Sequence, residues 1–291
     1  MAAVVETKYP SLGLLASGPE DAAETLVFLH GWGGSRELWR HTLQTLPQFR
    51  CLALDLPGTG GTSLPPGLST MPQMAAWVFE TCATLGLTQI TLVGHSLGGN
   101  LAAQTALDYP VLVQRLVLVD AALNPAHLPV RARWPLHRRW GLPALKLLRW
   151  GALAVAPWGR RVSAAEAAQF WRGQTRRSHW YVAANPDDRR LQCQLQALTD
   201  NPLLPERLAA LPMPVLILHG AYDPVVPVSS ARALAEFLPA ARLHIFPTSL
   251  HCPMDTDANG FALAITEFAQ SSHLDAPAGA CYNERQTPDP T

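Results

Sequence analysis

Leu92-Val93-Gly94-His95-Ser96-Leu97-Gly98-Gly99 is the stretch that decides how this 291-residue chain reads. Ile90, Thr91, Leu92 and Val93 have the apolar, β-branched composition of a strand, and residues 100–107 have helix-forming composition. Gly94-x-Ser96-x-Gly98 therefore falls where a strand turns into a helix. A serine on such a turn presents its hydroxyl at the end of a sheet, and the flanking glycines are needed because neighbouring backbone comes too close for side chains. Turns of small residues are common, so the pentapeptide alone is a weak signal. The strand before it and the helix after it make Ser96 the nucleophile candidate.

Working outward, strand-like runs recur at 25–29, 51–55, 90–93, 116–120, 215–219 and 242–246, with helical stretches between them. This alternation predicts an α/β fold, a mostly parallel sheet covered by helices on both faces. From about 124 to 211 no comparable strand occurs, and the interval is too long for an ordinary connection. It reads as a helical cap inserted over the carboxyl edge of the sheet, leaving residues 1–123 and 212–270 as the core. Residues 271–291 mix Ser, Pro, Gly and charge without apolar periodicity and are expected to form a disordered tail.

Hydrophobic residues make up 48% of the chain, enough for one large core, and the formal net charge is zero. The molecule as a whole has no electrostatic bias toward nucleic acid. The zero conceals an asymmetry: residues 124–212 hold fourteen Lys and Arg against five Asp and Glu, so this interval carries +9 and the remainder −9. Six of the nine tryptophans, Trp134, Trp140, Trp150, Trp158, Trp171 and Trp180, lie there too. Singly, such arginines solvate outer helix faces while tryptophans pack inward. Together, Arg131, Arg133, Arg138, Arg139, Arg149, Arg160 and Arg161 make a basic band suited to an anionic partner. The five cysteines, Cys51, Cys82, Cys193, Cys252 and Cys281, are scattered and never form Cys-x-x-Cys, which argues against a disulfide framework or zinc site and for a cytoplasmic setting. Residues 1–24 lack the basic stretch and apolar run of a secretory leader, and no segment reaches bilayer-spanning length. No metal or cofactor is implied.

A serine hydroxyl needs a base to take its proton, so Ser96 calls for an acid and a histidine downstream, in that order. Asp223 follows the strand 215–219 in Gly220-Ala221-Tyr222-Asp223-Pro224, a place where Asp also occurs simply as a turn former. Asp120, at the end of the preceding strand, is its rival. For the base, only His244, His251 and His273 lie beyond Asp223. His244 sits in a strand pattern and His273 in the tail, which leaves His251, just after the last strand and before a helix at 260–270. His251 would accept the Ser96 proton and return it to the leaving alcohol, while Asp223 holds its tautomer. An oxyanion hole needs two backbone donors, one from the residue after the nucleophile, Leu97, and one from an early strand-to-helix loop. His30-Gly31-Trp32-Gly33-Gly34 suits the second, with Trp32 as donor, and matches neither Gly-x-Gly-x-x-Gly nor a Walker lysine pattern.

From about Thr25 to Ala269 the chain resembles the α/β-hydrolases of the esterase and lipase superfamily. The resemblance rests on His30-Gly31-Trp32-Gly33, on residues 55–62, on the turn at Ser96, on residues 220–227 and on His251-Cys252-Pro253. It departs from the common pattern where Leu250 stands in place of a Gly, and where Thr256, flanked by Asp255 and Asp257, replaces an acid. Among capped members, the Glu37-Leu38-Trp39 segment and the Arg-rich cap are most similar to the pimeloyl-acyl-carrier-protein methyl ester esterases of biotin synthesis. That likeness implies an ester substrate tethered to an acidic acyl carrier protein, held by the cap arginines. A menaquinone-pathway synthase family carries an arginine four residues after the nucleophile, where this chain has Asn100, and the haloalkane dehalogenases use an Asp nucleophile, which Ser96 excludes.

Three other readings compete. A generic carboxylesterase or lipase-like enzyme would share every catalytic signal. A membrane-surface role would use the tryptophans and arginines of residues 134–161. A ligand-binding homologue has no evident need for Ser96, Asp223 and His251 together. Nucleic-acid binding lacks any recognised fold element.

Overall fold

The computed structural model describes residues 11–129, 188–200, 202–203, 205–238, 240–271 and 281–282. Its centre is one sheet of eight strands in the order β1-β3-β2-β4-β5-β6-β7-β8. These are β1 (Leu14–Ser17), β2 (Thr25–Leu29), β3 (Arg50–Leu54), β4 (Ile90–His95), β5 (Val113–Val119), β6 (Val215–Gly220), β7 (Arg242–Phe246) and β8 (Cys281–Tyr282). Only β1, on β3, runs antiparallel; every other pair is parallel.

The period of two along each strand explains why both faces are covered. Val27, Leu29, Leu92, Leu116, Leu118 and Ile217 face one side, against α2 (Met71–Thr84), α3 (Leu97–Asp108) and α5 (Val228–Phe237). Leu26, Phe28, Val93, Val117, Leu216 and Leu218 face the other, against α1 (Arg40–Gln44), the short turn Arg36–Trp39 and α6 (Ala258–Gln270). Trp39 lies wholly buried, its ring 5.1 Å from Phe28 and 6.3 Å from Phe261. Burial of that size contributes roughly 2–3 kcal/mol per large side chain. The start of α2 is set locally: Thr70 and Gln73 exchange side-chain and backbone hydrogen bonds in a capping box.

The six strands read from sequence all form, with shifts of a few residues at their ends. β1 and β8 were not anticipated. Leu14–Ser17 is a short run between Gly13 and Gly18, too brief to show a period. β8 lies within the tail expected to be disordered; its two residues pair with Leu243 and His244, meeting backbone groups that the edge of β7 would otherwise leave unpaired. Within the interval 124–211, α4 (Asp188–Asp200) and the single turn Pro205–Leu208 are helical. Buried Ala197 and Leu198 join the core, and Gln194 donates to the carbonyl of Pro57 at 3.1 Å, so α4 lies against a loop at the carboxyl end of β3. Residues 130–187, with the seven arginines and six tryptophans singled out above, lie outside the described residues.

Candidate active site

Ser96 follows the last residue of β4 and caps α3 with φ 55° and ψ −118°, a left-handed backbone that a side-chain-bearing residue rarely adopts. The turn is held from all sides. The Ser96 N–H donates to Val119 at 2.9 Å, and its carbonyl accepts from Gly99, Asn100 and Ala122. A Cβ on Gly94 would lie 2.2 Å from the Gly98 carbonyl oxygen, and one on Gly98 would lie 2.5 Å from the carbonyls of Leu29 and His30. Both glycines are therefore dictated by close approach of backbone. Asn100, fully buried, donates to the carbonyl of Leu123 at 2.9 Å and so ties α3 to the loop after β5.

Asp223 and His251 come from the loops after β6 and β7. Two backbone bonds lace these loops together: Ala221 N–H donates to Phe246 and Tyr222 N–H to Ser249, each at 3.0 Å. Close approach is possible because residue 220 is Gly; a Cβ there would meet the Leu250 carbonyl at 2.0 Å. Asp223 Oδ2 consequently lies 2.7 Å from His251 Nδ1, with its carboxyl fully buried. Its Oδ1 accepts from the N–H groups of Val225 (2.7 Å) and Val226 (3.0 Å). Burial alone would raise the Asp223 pKa, but the neighbouring His251, by its charge and its hydrogen bond, more than offsets this and holds it below the usual value. At the positions departing from the common pattern, Thr256 donates to Ser249 Oγ at 2.6 Å, and Asp257 accepts from Gly260 N–H to cap α6.

Behind this pair lie groups that sequence reasoning passed over or set second. His95 Nε2 lies 2.7 Å from the His251 carbonyl; a carbonyl only accepts, so Nε2 carries the proton. The residue next to Ser96 thus grips the His251 backbone, and burial depresses the His95 pKa to about 3, keeping the ring neutral. His219 is neutral for the same reason, donating to Val226 O at 3.0 Å, with Nε2 3.6 Å from both Asp120 Oδ1 and Asp223 Oδ2. Asp120, the rival acid, is fully buried beside Asp223 and accepts from Gly220 N–H at 2.9 Å. A cue to Asp120 was its place at a strand end; His95 and His219 had none beyond adjoining Ser96 and Gly220. His244 packs edge-on to Phe246, and His273 lies outside the described residues.

A Cβ on Gly31 would fall 3.0 Å from Ser96 Cβ, which places the His30–Gly34 loop against the serine. His30 Nδ1 (2.7 Å) and the Gly34 N–H (3.0 Å) both donate to the Gly31 carbonyl. In a trans peptide the N–H of the next residue points the other way, so these bonds orient Trp32 N–H. Leu97 opens α3, where helix geometry leaves the first N–H groups without intrahelical partners. Asp55, fully buried, ties the residues that follow this loop to the 60–61 turn, accepting from Arg36 N–H, the Arg36 guanidinium and Gly61 N–H.

Among the described residues one cluster has metal-ligating atoms in proximity, Asp120, Asp223 and His251, all within 4.8 Å. Each Asp223 oxygen already accepts a hydrogen bond, so the set reads as an acid paired with its histidine, with a second buried acid beside it, rather than a cation cage. No helix among the described residues is long and apolar enough to cross a membrane.

A family model described as alpha/beta hydrolase fold matches residues 24–258. A Nitrosomonas europaea protein named pimeloyl-[acyl-carrier protein] methyl ester esterase is 32% identical, over 78% of this chain and 88% of that protein. A Caulobacter protein named putative carbamate hydrolase RutD is 30% identical, over 86% of this chain and 92% of its own length. A thermophilic esterase from Thermogutta terrifontis superposes with a TM-score of 0.78 at 24% identity, covering 94% of this chain and all of that one, a likeness of fold.

Proposed function

The chain belongs to the alpha/beta hydrolase family, and on that premise we propose that it is a carboxylic ester hydrolase working through an acyl-enzyme on Ser96. His251 takes the Ser96 proton as the oxygen attacks the ester carbonyl. Asp223 fixes the tautomer of His251 and stabilises the imidazolium that forms. The N–H groups of Trp32 and Leu97 meet the negative charge that develops on the carbonyl oxygen. Collapse of the tetrahedral species expels the alcohol, which takes the proton back from His251, and water then releases the acid by the same steps in reverse order. The observation that carries this reading is the 2.7 Å contact of the buried Asp223 carboxylate with His251, at the same sheet edge as a serine held at φ 55°.

For the substrate we propose a methyl ester at the far end of a pimeloyl chain carried on acyl carrier protein. Two observations support it: a relative of that name at 32% identity, and the net +9 of residues 124–212, which suits an acidic carrier. The test compares carrier-bound with free pimeloyl methyl ester, with a carbamate as control because of the Caulobacter relative. Higher kcat/KM on the carrier-bound ester is expected. Equal rates on both esters would reduce the reading to a general carboxylesterase.

A further inference from the structure

We propose that Asp120 works as a neutral carboxylic acid that donates a hydrogen bond to the Asp223 carboxylate and thereby positions Asp223 against His251. The inference rests on the reading of Ser96, Asp223 and His251 as the catalytic set. Both acid side chains are fully buried, and one oxygen of each lies within 4.8 Å of the other and of a His251 ring nitrogen. Two carboxylates in such a space cannot both be ionised without a cation to compensate them. Among the described residues the titratable groups facing Asp120 are Asp223, His219 and His251, with His95 packed beyond, its ring 4.7 Å from that of His251. His219 does not supply the charge, because its Nε2–H is committed to the Val226 carbonyl and its ring is neutral.

The two acids differ in what meets their oxygens, and this decides which one holds the proton. Asp223 receives two backbone N–H groups and His251. Asp120 Oδ1 receives one, from Gly220, while Oδ2 is buried without any donor. An ionised oxygen left so would cost its full desolvation. A protonated Oδ2 instead becomes a donor, and the Asp223 carboxylate is its acceptor. Burial first, and then the charge of Asp223, accordingly push the Asp120 pKa well above the ordinary carboxyl value. Asp120 also keeps φ 44°, the other left-handed non-glycine residue among those described besides Ser96. Strain of this kind persists where the surroundings hold a side chain in place.

The experiment measures kcat and KM against pH for p-nitrophenyl butyrate with the wild type, Asp120→Ala, Asp120→Asn and Ser96→Ala, and records the wild-type minus Asp120→Asn infrared difference spectrum at neutral pH. Asp120→Ala should lower kcat about tenfold or more with little change in KM. Asp120→Asn, whose amide also donates, should restore most of that loss with the acid limb of the profile unmoved, and the difference spectrum should show a carboxylic-acid carbonyl band. The proposal is overturned if Asp120→Ala turns over like the wild type. It is equally overturned if Asp120→Asn moves the acid limb about one pH unit lower, the mark of a removed anion, or if the spectrum shows a carboxylate band alone. Should Asp120→Ala fail to fold, the Asn profile and the spectrum still decide. A wild type that does not hydrolyse the ester would count against the esterase reading, while the infrared band would still report the proton on Asp120.

Discussion

His30 shows how much of the candidate site depends on single side chains outside the proposed catalytic set. Its Nδ1 bond to the Gly31 carbonyl orients the peptide that presents Trp32 N–H. His30→Ala should lower kcat by roughly tenfold to a hundredfold, a fraction of what losing an oxyanion donor costs, with KM little changed; ester kinetics check this. His30, His95 and His219 are all depressed by burial, His95 to about 3. The unfolded chain binds protons at these residues below about pH 6.5 and the folded chain does not, so their contribution is present above that pH and is lost as pH falls. His95 alone should cost up to about 1.4 kcal/mol per pH unit between roughly 6.5 and 3, measurable by denaturant unfolding at stepped pH. Ser96, Asp223 and His251 were legible as candidates because nucleophilic chemistry restricts both residue type and order along the chain. His95 and His219 were not, since a histidine at a strand end looks the same whether it holds a neighbour's carbonyl or merely fills space.

At the scale of elements, the glycines that let loops approach carry the geometry. Gly220→Ala would press a methyl against the Leu250 carbonyl and part the loops bearing Asp223 and His251. We expect kcat to fall at least tenfold and stability to fall by about 1–3 kcal/mol, read by ester kinetics and thermal melting; a variant with wild-type kcat would show that the loops are not held this way. The parallel strands β2 to β7 were readable as apolar runs because both of their faces are buried. β1 and β8 escaped because edge strands of four and two residues are held by pairing with a neighbour rather than by a pattern of their own. α3 begins at Leu97 rather than three residues later, since Gly98 and Gly99, poor helix formers, are required there by contact with the backbone of β2 and with Ala121.

The whole molecule divides its charge, with +9 in residues 124–212 and −9 elsewhere. If the basic band holds a carrier protein, changing Arg138 and Arg139 together to Glu should lower kcat/KM on carrier-bound ester, more at low salt than at high, and leave a small free ester unaffected. Equal loss on both would point away from carrier recognition. A long interval between β5 and β6 was legible from the lack of strand-like runs between 120 and 215. How it would fold was not legible, because a basic, Trp-rich composition does not fix which side chains turn inward, and residues 130–187 lie outside the described residues. The central claim, hydrolysis through Ser96, is tested most directly by treating the protein with a fluorophosphonate and locating the adduct by mass spectrometry while following p-nitrophenyl ester turnover. The account predicts one adduct, on Ser96, with turnover lost in step and both absent in Ser96→Ala. A wild type left unlabelled, or a Ser96→Ala protein that still hydrolyses the ester at the wild-type rate, would contradict it.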